Sequence, residues 1–340
     1  MKIDLVYTWV NGADENWKRK KLQHSQQYKR PASEKAQSDA RFMDNQELRY
    51  SIRSILTYAS WINNIFIVTD DQVPAWLDSS YTKIKVVDHK EIFKNHDYLP
   101  TFNSMAIEAN LHHVSNLSEY FIYSNDDMFL GDYCQPEYFF LKDGRPRIFV
   151  KDIIRKKKKW HLNPDLLKIE KRNEHQCSII NSRVLLKEFF KKSVHSEILH
   201  GMKACKRSDM VYLENIFNQQ FLHTMSHQFR DIDDVWAYGL VSMYCLLNGA
   251  GKRTYVPSLS LKMQWLNNLI KRAMKPSFSY VNLSKADIDN RLSVIERNRP
   301  SMFCLNQFHD SPDANIVKVQ SFLERYFPHP CPAEKAASEI

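Results

Sequence analysis

Four short apolar runs in the first 150 residues constrain the fold more than any other feature of the chain. Each has the length of a strand, is rich in β-branched or aromatic residues, and is followed at once by polar or turn-forming residues. Helical patterns lie between them, and this alternation is typical of an α/β fold with a mostly parallel sheet flanked by helices. The four runs are Ile3–Tyr7, Ile65–Thr69, Ile84–Val87 and Tyr120–Tyr123.

Helical periodicity is clear in two segments of this first half. Leu48, Ile52 and Ile55 recur at helical spacing behind the sequence Asp44-Asn45-Gln46-Glu47, which has the form of a capping box. The segment Ser104–Asn116 repeats the spacing. Both segments are therefore predicted to be helices.

The later part of the chain is predicted to be largely helical. We expect one helix from an N-cap at Ser208 through Phe221, a second over Val235–Leu247 and a last one over Val317–Phe327. The predicted organisation is an α/β half at 1–150, a basic insertion at 151–180, a mainly helical half at 181–330 and a tail at 331–340.

Composition limits the class of protein. A hydrophobic content of 43% and only seven glycines indicate a folded chain. The net charge of +9 and the run RKKKK at Arg155–Lys159 favour an anionic partner such as nucleic acid, lipid head groups or phosphorylated sugars, although a solvated surface run is the simpler alternative. No nucleic-acid-binding module is recognisable.

Cysteine spacing and hydropathy add two expectations. The six cysteines form no C-x-x-C pair, which argues against a zinc site or a disulfide framework and favours a reducing compartment. No apolar run approaches the roughly 20 residues that a bilayer crossing needs. No Walker loop, G-x-G-x-x-G or G-x-S-x-G motif occurs, which removes support for a P-loop NTPase, a typical dehydrogenase and an esterase.

The segments that leave the predicted strands carry the polar residues of interest. In open α/β sheets ligands bind beyond the carboxyl ends of the strands, so the adjacent Asp126 and Asp127, which follow the fourth run, are expected at the mouth of a crevice. Two such carboxylates suit Mg²⁺, although a turn or a helix cap is the simpler interpretation.

Two basic segments could bind phosphate. His200 and Arg207 lie in HGMKACKR, just before a predicted helix N-terminus, where the helix dipole favours anions. Arg230 could hold a phosphate with two hydrogen bonds, but it could equally pair with the acidic residues Asp231–Asp234 that follow it. An ordinary basic start to a helix remains an alternative for the first segment.

Taken in order, these stretches resemble the Stealth family of sugar-1-phosphate transferases. That family contains bacterial capsule and exopolysaccharide phosphotransferases and the catalytic part of the lysosomal-enzyme N-acetylglucosamine-1-phosphotransferase. The matching blocks are IDLVYTWVNGADENW at Ile3–Trp17, a long block over Arg41–Leu77 and Leu99–Gly131, a third from Asn181 to Arg230, and RPSMFCLNQF at Arg299–Phe308.

The resemblance implies a Rossmann-like, GT-A-like fold, in which the half at 1–150 binds the nucleotide-sugar and the half at 181–330 completes the same catalytic domain. It also assigns roles by position. It implies metal binding and catalysis by Asp126 and Asp127, with His200, Arg207 and Arg230 as further catalytic residues. It also implies substrate or nucleotide contacts at Thr8, Trp9, Val10, Asn11, Gly12, Asp14, Arg41, Asp44, Asn45, Arg49, Asn103, Ser104, Glu108 and Asn306.

The reaction implied is attack by a glycan hydroxyl on the β-phosphorus of a UDP-sugar, with Mg²⁺ or Mn²⁺ as cofactor and UMP as the released nucleotide. Either His200 or one of the aspartates could take the acceptor proton. The alternatives are a conventional glycosyltransferase, which releases UDP, and a non-catalytic glycan- or nucleic-acid-binding protein.

The implied setting is capsule or exopolysaccharide synthesis in the cytoplasm. The expected partners are the UDP-sugar donor, an acceptor glycan and other capsule-synthesis proteins, without nucleic acid. The run Arg155–Lys159 could hold the protein against the anionic inner face of the membrane.

Two departures from the family pattern stand out. The last block usually reads C-L-N-D, but here Gln307 replaces the acid. Some relatives have a second His and a Pro after the catalytic His, where this chain has Gly201–Cys205 with Lys203. Acceptor or phosphate contacts are therefore expected to differ.

Overall fold

The computed structural model describes residues 1–28, 42–151, 173–256 and 277–336. Its strands fall into three sheets, of five, three and two strands. Their bounds are β1 Ile3–Thr8, β2 Ile65–Thr69, β3 Ile84–Asp88, β4 Tyr120–Asn125, β5 Met128–Leu130, β6 Arg147–Lys151, β7 Lys203–Lys206, β8 Lys252–Val256, β9 Phe278–Asn282 and β10 Met302–Asn306.

The five-stranded sheet has the order β3-β2-β1-β4-β7. The first four of these strands are parallel, and β7 pairs antiparallel with β4. The predicted mostly parallel sheet flanked by helices is therefore confirmed. Central strand β1 is buried on both faces, with Leu5, Val6 and Tyr7 shielded from solvent, and this explains its continuous apolar sequence.

The parallel strands end at the same edge of the sheet. Thr8 pairs in register with Val68 on one side and with Asn125 on the other. The loops that follow β1, β2 and β4 consequently leave the sheet side by side, as the sequence predicts. This shared edge, which we call the carboxyl edge, carries the candidate site.

The three-stranded sheet, of order β5-β10-β9, adjoins that edge. Strand β5 begins directly after Asp127, and β10 pairs antiparallel with it, so that Cys304 lies opposite Met128. The backbone N–H of Leu305 donates to the carbonyl of Asp127 over 3.0 Å. A segment almost at the end of the chain is thereby fixed beside the aspartate pair.

Helices surround these sheets, and those of the later part of the chain make it mainly helical, as predicted. The helix at Glu174–Phe190 runs across residue 180, where the sequence analysis places a boundary. The basic run Arg155–Lys159 lies outside the described residues. The helices are α1 Glu15–Gln27, α2 Glu47–Tyr58, α3 His89–Ile92, α4 Ser104–Glu108, α5 Glu174–Phe190, α6 Arg207–Ile216, α7 Asn218–Ser226, α8 Ala237–Leu247, α9 Ile288–Asn298 and α10 Asp313–Tyr326.

Three predicted helix details are wrong. The helix that begins at Ser104 ends at Glu108, because the side chain of Asn110 donates to the carbonyl of Ala106 and competes with the helical pattern. A short 3₁₀ turn follows it at Leu111–His113. The helix predicted from Ser208 through Phe221 is two helices, α6 and α7, which meet at Phe217.

The third detail is the capping box before α2, which does not form. Gln46 occupies the N-cap position in the left-handed region, with φ of 67°, and caps nothing. Glu47 instead turns back, and its carboxylate accepts from the backbone N–H of Asn45 over 2.6 Å.

The six cysteines are all buried, and none forms a disulfide within the described residues. Among the helices of the described ranges, none combines the length and hydropathy required to cross a bilayer.

A buried ion pair anchors the last described segment to α2. Arg53 donates from Nε and Nη2 to the two carboxylate oxygens of Glu334 over 2.6 and 2.7 Å, and Arg49 donates to the same group over 2.6 Å. Burial alone would raise the pKa of Glu334, but the hydrogen bonds from Arg53 and Arg49 lower it to about 2. The predicted tail at 331–340 is thus packed at Glu334.

We expect Glu334→Gln to lower the free energy of unfolding by about 3 kcal/mol, because it leaves the Arg53 guanidinium buried without its counter-charge. Since the folded-state pKa is depressed, this stabilisation is present above pH 4.5 and is lost as the pH falls toward 2. Thermal unfolding across this pH range measures it. Glu188→Gln, on an exposed position of α5, is the control. A deficit of equal size at every pH would contradict the assignment.

Candidate active site

Asp127 lies at the centre of the carboxyl edge. Its Oδ2 accepts from Nδ2 of Asn306 and from Sγ of Cys304, each over 3.3 Å. The Nδ2 atom of Asn306 is also 3.5 Å from Nε2 of His200. Ligand atoms of Asp127, His200 and Cys304 all lie within 4.8 Å of one another, so residues from three distant parts of the sequence share one site.

Strand pairing explains this convergence. Lys203 pairs antiparallel with Tyr123, so the segment that precedes β7, including His200, lies beyond the end of β4 where Asp127 follows. Side chains alternate along a strand, so Cys304 and Asn306 point to the same face of β10 and both reach Asp127.

The aspartate pair belongs to a group of four buried or partly buried carboxylates. Burial raises the pKa of Asp126 well above its usual range, and the charges of Asp127, Glu47 and Asp44 raise it further. Burial likewise raises the pKa of Glu47 to about 7 and that of Asp127 to about 6. We call these four residues the acidic group.

The donor set of the acidic group fits a divalent cation. Within the described residues, Oδ1 of Asp127 is buried and has no hydrogen-bond partner, so its lone pairs are available to coordinate a cation. Carboxylate oxygens are the ligands that Mg²⁺ and Mn²⁺ prefer. Asp126 and Asp127 are the residues that would hold the ion.

Amide side chains connect the acidic group to the last sequence block. Nδ2 of Asn45 donates to Oε1 of Glu47 over 2.9 Å and to Oε1 of Gln307 over 2.7 Å. The residue that departs from the family pattern therefore contacts Asn45, a predicted substrate-binding residue, and does not contact the aspartates directly.

A buried cationic group also lies near His200. Nη2 of Arg230 donates to Oγ of Ser104 over 2.6 Å, and Nζ of Lys203 donates to the carbonyl of Gly201 over 2.9 Å. Both cations are buried near Glu108. Burial raises the pKa of the Glu108 carboxyl to about 6, although the positive charges of Lys203 and Arg230 act to lower it. We call Lys203 and Arg230 the cationic pair.

His200 is neutral in this setting. Burial lowers the pKa of its imidazole to about 3, and the charges of Lys203 and Arg230 contribute. A neutral ring has a free lone pair on one nitrogen, so His200 can accept a hydrogen bond or a proton from a bound hydroxyl.

Asn103 positions the segment that carries Arg230. Its Nδ2 is within hydrogen-bonding distance of the carbonyls of His227 and Phe229 and donates to Oδ2 of Asp234 over 2.9 Å. Its Oδ1 accepts from the first turn of α4. Asn103 is fully buried, and its hydrogen bonds hold the segment that carries Arg230.

The loop after β1 is held by internal contacts. The backbone N–H and carbonyl of Asn11 both bond the side-chain amide of Gln72, which follows β2. The N–H of Gly12 donates to the carbonyl of Phe42 over 2.7 Å, and a Cβ at Gly12 would lie 2.2 Å from that oxygen. Only glycine fits there, and Val10 packs against the aromatic cluster that contains Phe42.

The remaining predicted residues of this loop lie at the same edge. Oγ1 of Thr8 is 3.5 Å from the hydroxyl of Tyr123. Trp9 is buried beside Asp44, and Asp14 caps α1 through a 2.8 Å hydrogen bond. Asp14 thus has a structural role in this conformation.

The prediction that Arg207 lies near the catalytic group is wrong. Its backbone N–H donates to the carbonyl of Glu119, just before β4 begins, and its Nε donates to the carbonyl of His112. The six residues of β4 separate it from Asp127, a distance of about 20 Å. Antiparallel β7 carries the chain away from the site between His200 and Arg207.

Of the two further predicted arginines, the structure describes Arg49 alone. Arg49 is paired with Glu334, which favours a structural role. Arg41 lies outside the described residues.

Three residues of the site are missing from the sequence-based prediction. The sequence assigns Glu47 to a helix cap, and it includes Lys203 only as part of the basic segment HGMKACKR and as a departure from the family pattern. Cys304 gave no chemical signal. The period-2 alternation of β7 and β10 is the signal that could have identified Lys203 and Cys304, once those segments were recognised as strands.

Comparison with known proteins identifies relatives over the whole chain. Residues 1–29 match Stealth protein CR1, conserved region 1, residues 41–148 match CR2, conserved region 2, and residues 293–340 match CR4, conserved region 4. Exopolysaccharide phosphotransferase SCO6021 of Streptomyces coelicolor is 34% identical over 98% of this chain, which spans only 57% of that relative. Capsular polysaccharide phosphotransferase fcs1 of Haemophilus influenzae is 33% identical, covering 96% of this chain and 84% of the relative.

Among solved structures, the galactosyltransferase LgtC in complex with donor and acceptor sugar analogues aligns over 95% of each chain. Its sequence is 11% identical and its TM-score is 0.40.

We expect Asn103→Ala to lower the free energy of unfolding by about 2 kcal/mol, since Asp234 and the first turn of α4 lose a buried partner. The segment that carries Arg230 should also loosen, visible as faster amide hydrogen exchange at Phe229–Asp234. Asn95→Ala, which removes an exposed cap hydrogen bond, is the matched control. Unchanged exchange in Asn103→Ala would contradict the positioning role.

Proposed function

Because the chain belongs to the Stealth family, we propose that it transfers hexose-1-phosphate from a UDP-sugar to a hydroxyl of an acceptor glycan. The relatives named above are capsular and exopolysaccharide phosphotransferases, which supports this class of reaction. The observation that supports the proposal is that Asp127 of the acidic group and His200 share one site, where the charges of Lys203 and Arg230 act on His200. The sugar transferred is an N-acetylhexosamine in this proposal.

In the proposed reaction the acceptor oxygen bonds to the β-phosphorus. The bond from that phosphorus to the oxygen bridging the two phosphates breaks, and UMP leaves with the bridging oxygen. The acceptor proton passes to a protein base, and the sugar keeps its anomeric carbon–oxygen bond. The product is a phosphodiester.

Phosphoryl transfer depends mainly on positioning and charge neutralisation. Lys203 and Arg230 supply buried positive charge on one side of Asp127, suited to the non-bridging phosphate oxygens. A divalent cation held by Asp126 and Asp127 would neutralise charge on the pyrophosphate from the other side. The loop Thr8–Asp14 is proposed to bind the uridine nucleotide.

His200 is proposed to take the acceptor proton. In the structure described here its pKa is lowered to about 3, by burial and then by neighbouring positive charges. A bound pyrophosphate adds negative charge beside those cations and so raises the proton affinity of the imidazole. Proton uptake is thereby favoured only when the donor is bound.

The proposed setting is the cytoplasm, with donor, acceptor glycan and capsule-synthesis proteins as partners. Attachment to the membrane through Arg155–Lys159 stays a prediction, because that run lies outside the described residues.

We expect Asp127→Asn and His200→Ala each to lower turnover by about 10²-fold or more, with the thermal unfolding midpoint kept close to wild type. Asp289→Asn, an exposed change of the same chemistry on α9, is the control. Arg207→Ala should leave turnover within about two-fold, since the structure places it far from Asp127. Near-normal turnover of either site variant would refute its role.

The nucleotide product tests the reaction itself. Incubation with a panel of UDP-N-acetylhexosamines and candidate oligosaccharides should release UMP, and ³¹P NMR should show a new phosphodiester. EDTA should abolish product formation, and added Mg²⁺ or Mn²⁺ should restore it. Release of UDP would instead indicate a conventional glycosyltransferase.

A further inference from the structure

An exposed aromatic ring lies beside the candidate active site. Tyr280, on β9, is 39% exposed, whereas its neighbours Ser279 and Val281 are buried. Strand β9 forms the outer edge of the three-stranded sheet. Part of this tyrosine side chain is therefore accessible to a ligand.

Strand register directs this ring toward the catalytic residues. Tyr280 pairs with Cys304, so both side chains project from the same face of the sheet. Cys304 contacts Asp127 directly. The ring centroid of Tyr280 is 6.0 Å from that of His200, and the planes meet at 80°. The two rings are therefore nearly perpendicular, and we call the space between Tyr280 and His200 the corner.

The strand order places this corner away from the proposed nucleotide loop. The loop Thr8–Asp14 follows β1, whose other neighbour is β2, whereas His200 precedes β7 on the far side of β4. Asp127, which follows β4, lies between the two. A nucleotide bound by the loop would therefore leave the space beside Tyr280 free for the second substrate.

We propose that Tyr280 and His200 form the acceptor subsite, in which one pyranose ring of the glycan packs against the face of Tyr280. A pyranose presents a face of C–H groups that is suited to an aromatic ring, while its hydroxyls remain free for hydrogen bonds. With the sugar in this corner, a hydroxyl points to His200. The inference rests on the proposed function, because an acceptor site requires a transfer reaction.

The test measures binding without turnover. The probes are the methyl pyranosides of glucose, galactose, mannose, N-acetylglucosamine and N-acetylgalactosamine, and the measurement is saturation-transfer-difference NMR on the full chain. Wild type should transfer saturation to the C–H protons of at least one pyranoside. Tyr280→Ala should weaken this binding by about ten-fold, whereas Tyr280→Phe, which keeps the ring, should retain it.

Tyr212→Ala is the matched control, because Tyr212 is a similarly exposed tyrosine, at 42%, on α6 near the opposite edge of the sheet. Its signals should equal those of wild type. No transfer to any pyranoside in wild type, or equal transfer in Tyr280→Ala, would overturn the inference. Release of UDP in place of UMP would reject the proposed function and leave this binding result intact, so the two failures are distinguishable.

Discussion

The hydrogen bonds that Asp127 receives from Cys304 and Asn306 join segments that lie 177 and 179 residues apart along the chain. Strand β4 of the large sheet ends just before this residue, and β5 of the smaller sheet begins just after it. The carboxylate therefore sits at a junction between two rigid elements and cannot move independently of either. Its position, and through it the position of His200, depends on both sheets being complete.

Charge of opposite sign is separated across this junction. The acidic group lies toward α2, and the cationic pair lies toward β7 and the segment held by Asn103. Each group contains charges of one sign only. Burial raises the pKa values of Asp126, Asp127 and Glu47 and lowers those of Lys203 and Arg230, so it disfavours the charged form in both groups. A ligand that brings both a cation and an anion, as a metal–diphosphate does, would relieve both imbalances together.

The sequence was sufficient for the parallel sheet, because continuous apolar runs are typical of strands buried on both faces. It was also sufficient to place His200 near Asp127, through the resemblance to a known family. It failed at Arg207, because β7 has four residues with little strand character and its direction cannot be read from pattern. The sequence assigns Glu47 to a capping box, because the same local pattern is found at helix caps and before buried carboxylates. Side-chain contacts such as that of Asn306 depend on pairings between distant segments, which one sequence does not specify.

Gln307 has a consequence for electroneutrality at the carboxyl edge. It accepts a hydrogen bond from Asn45, which also holds Glu47, in a place where the family pattern has an aspartate. With glutamine at this position, the carboxyl edge carries one formal negative charge fewer than the family pattern would give. Glu47 therefore has one less negative charge near it. An acid at this position would add one negative charge beside Glu47, so the electrostatic potential at the carboxyl edge depends on a residue that has no hydrogen bond to the aspartates among the described contacts.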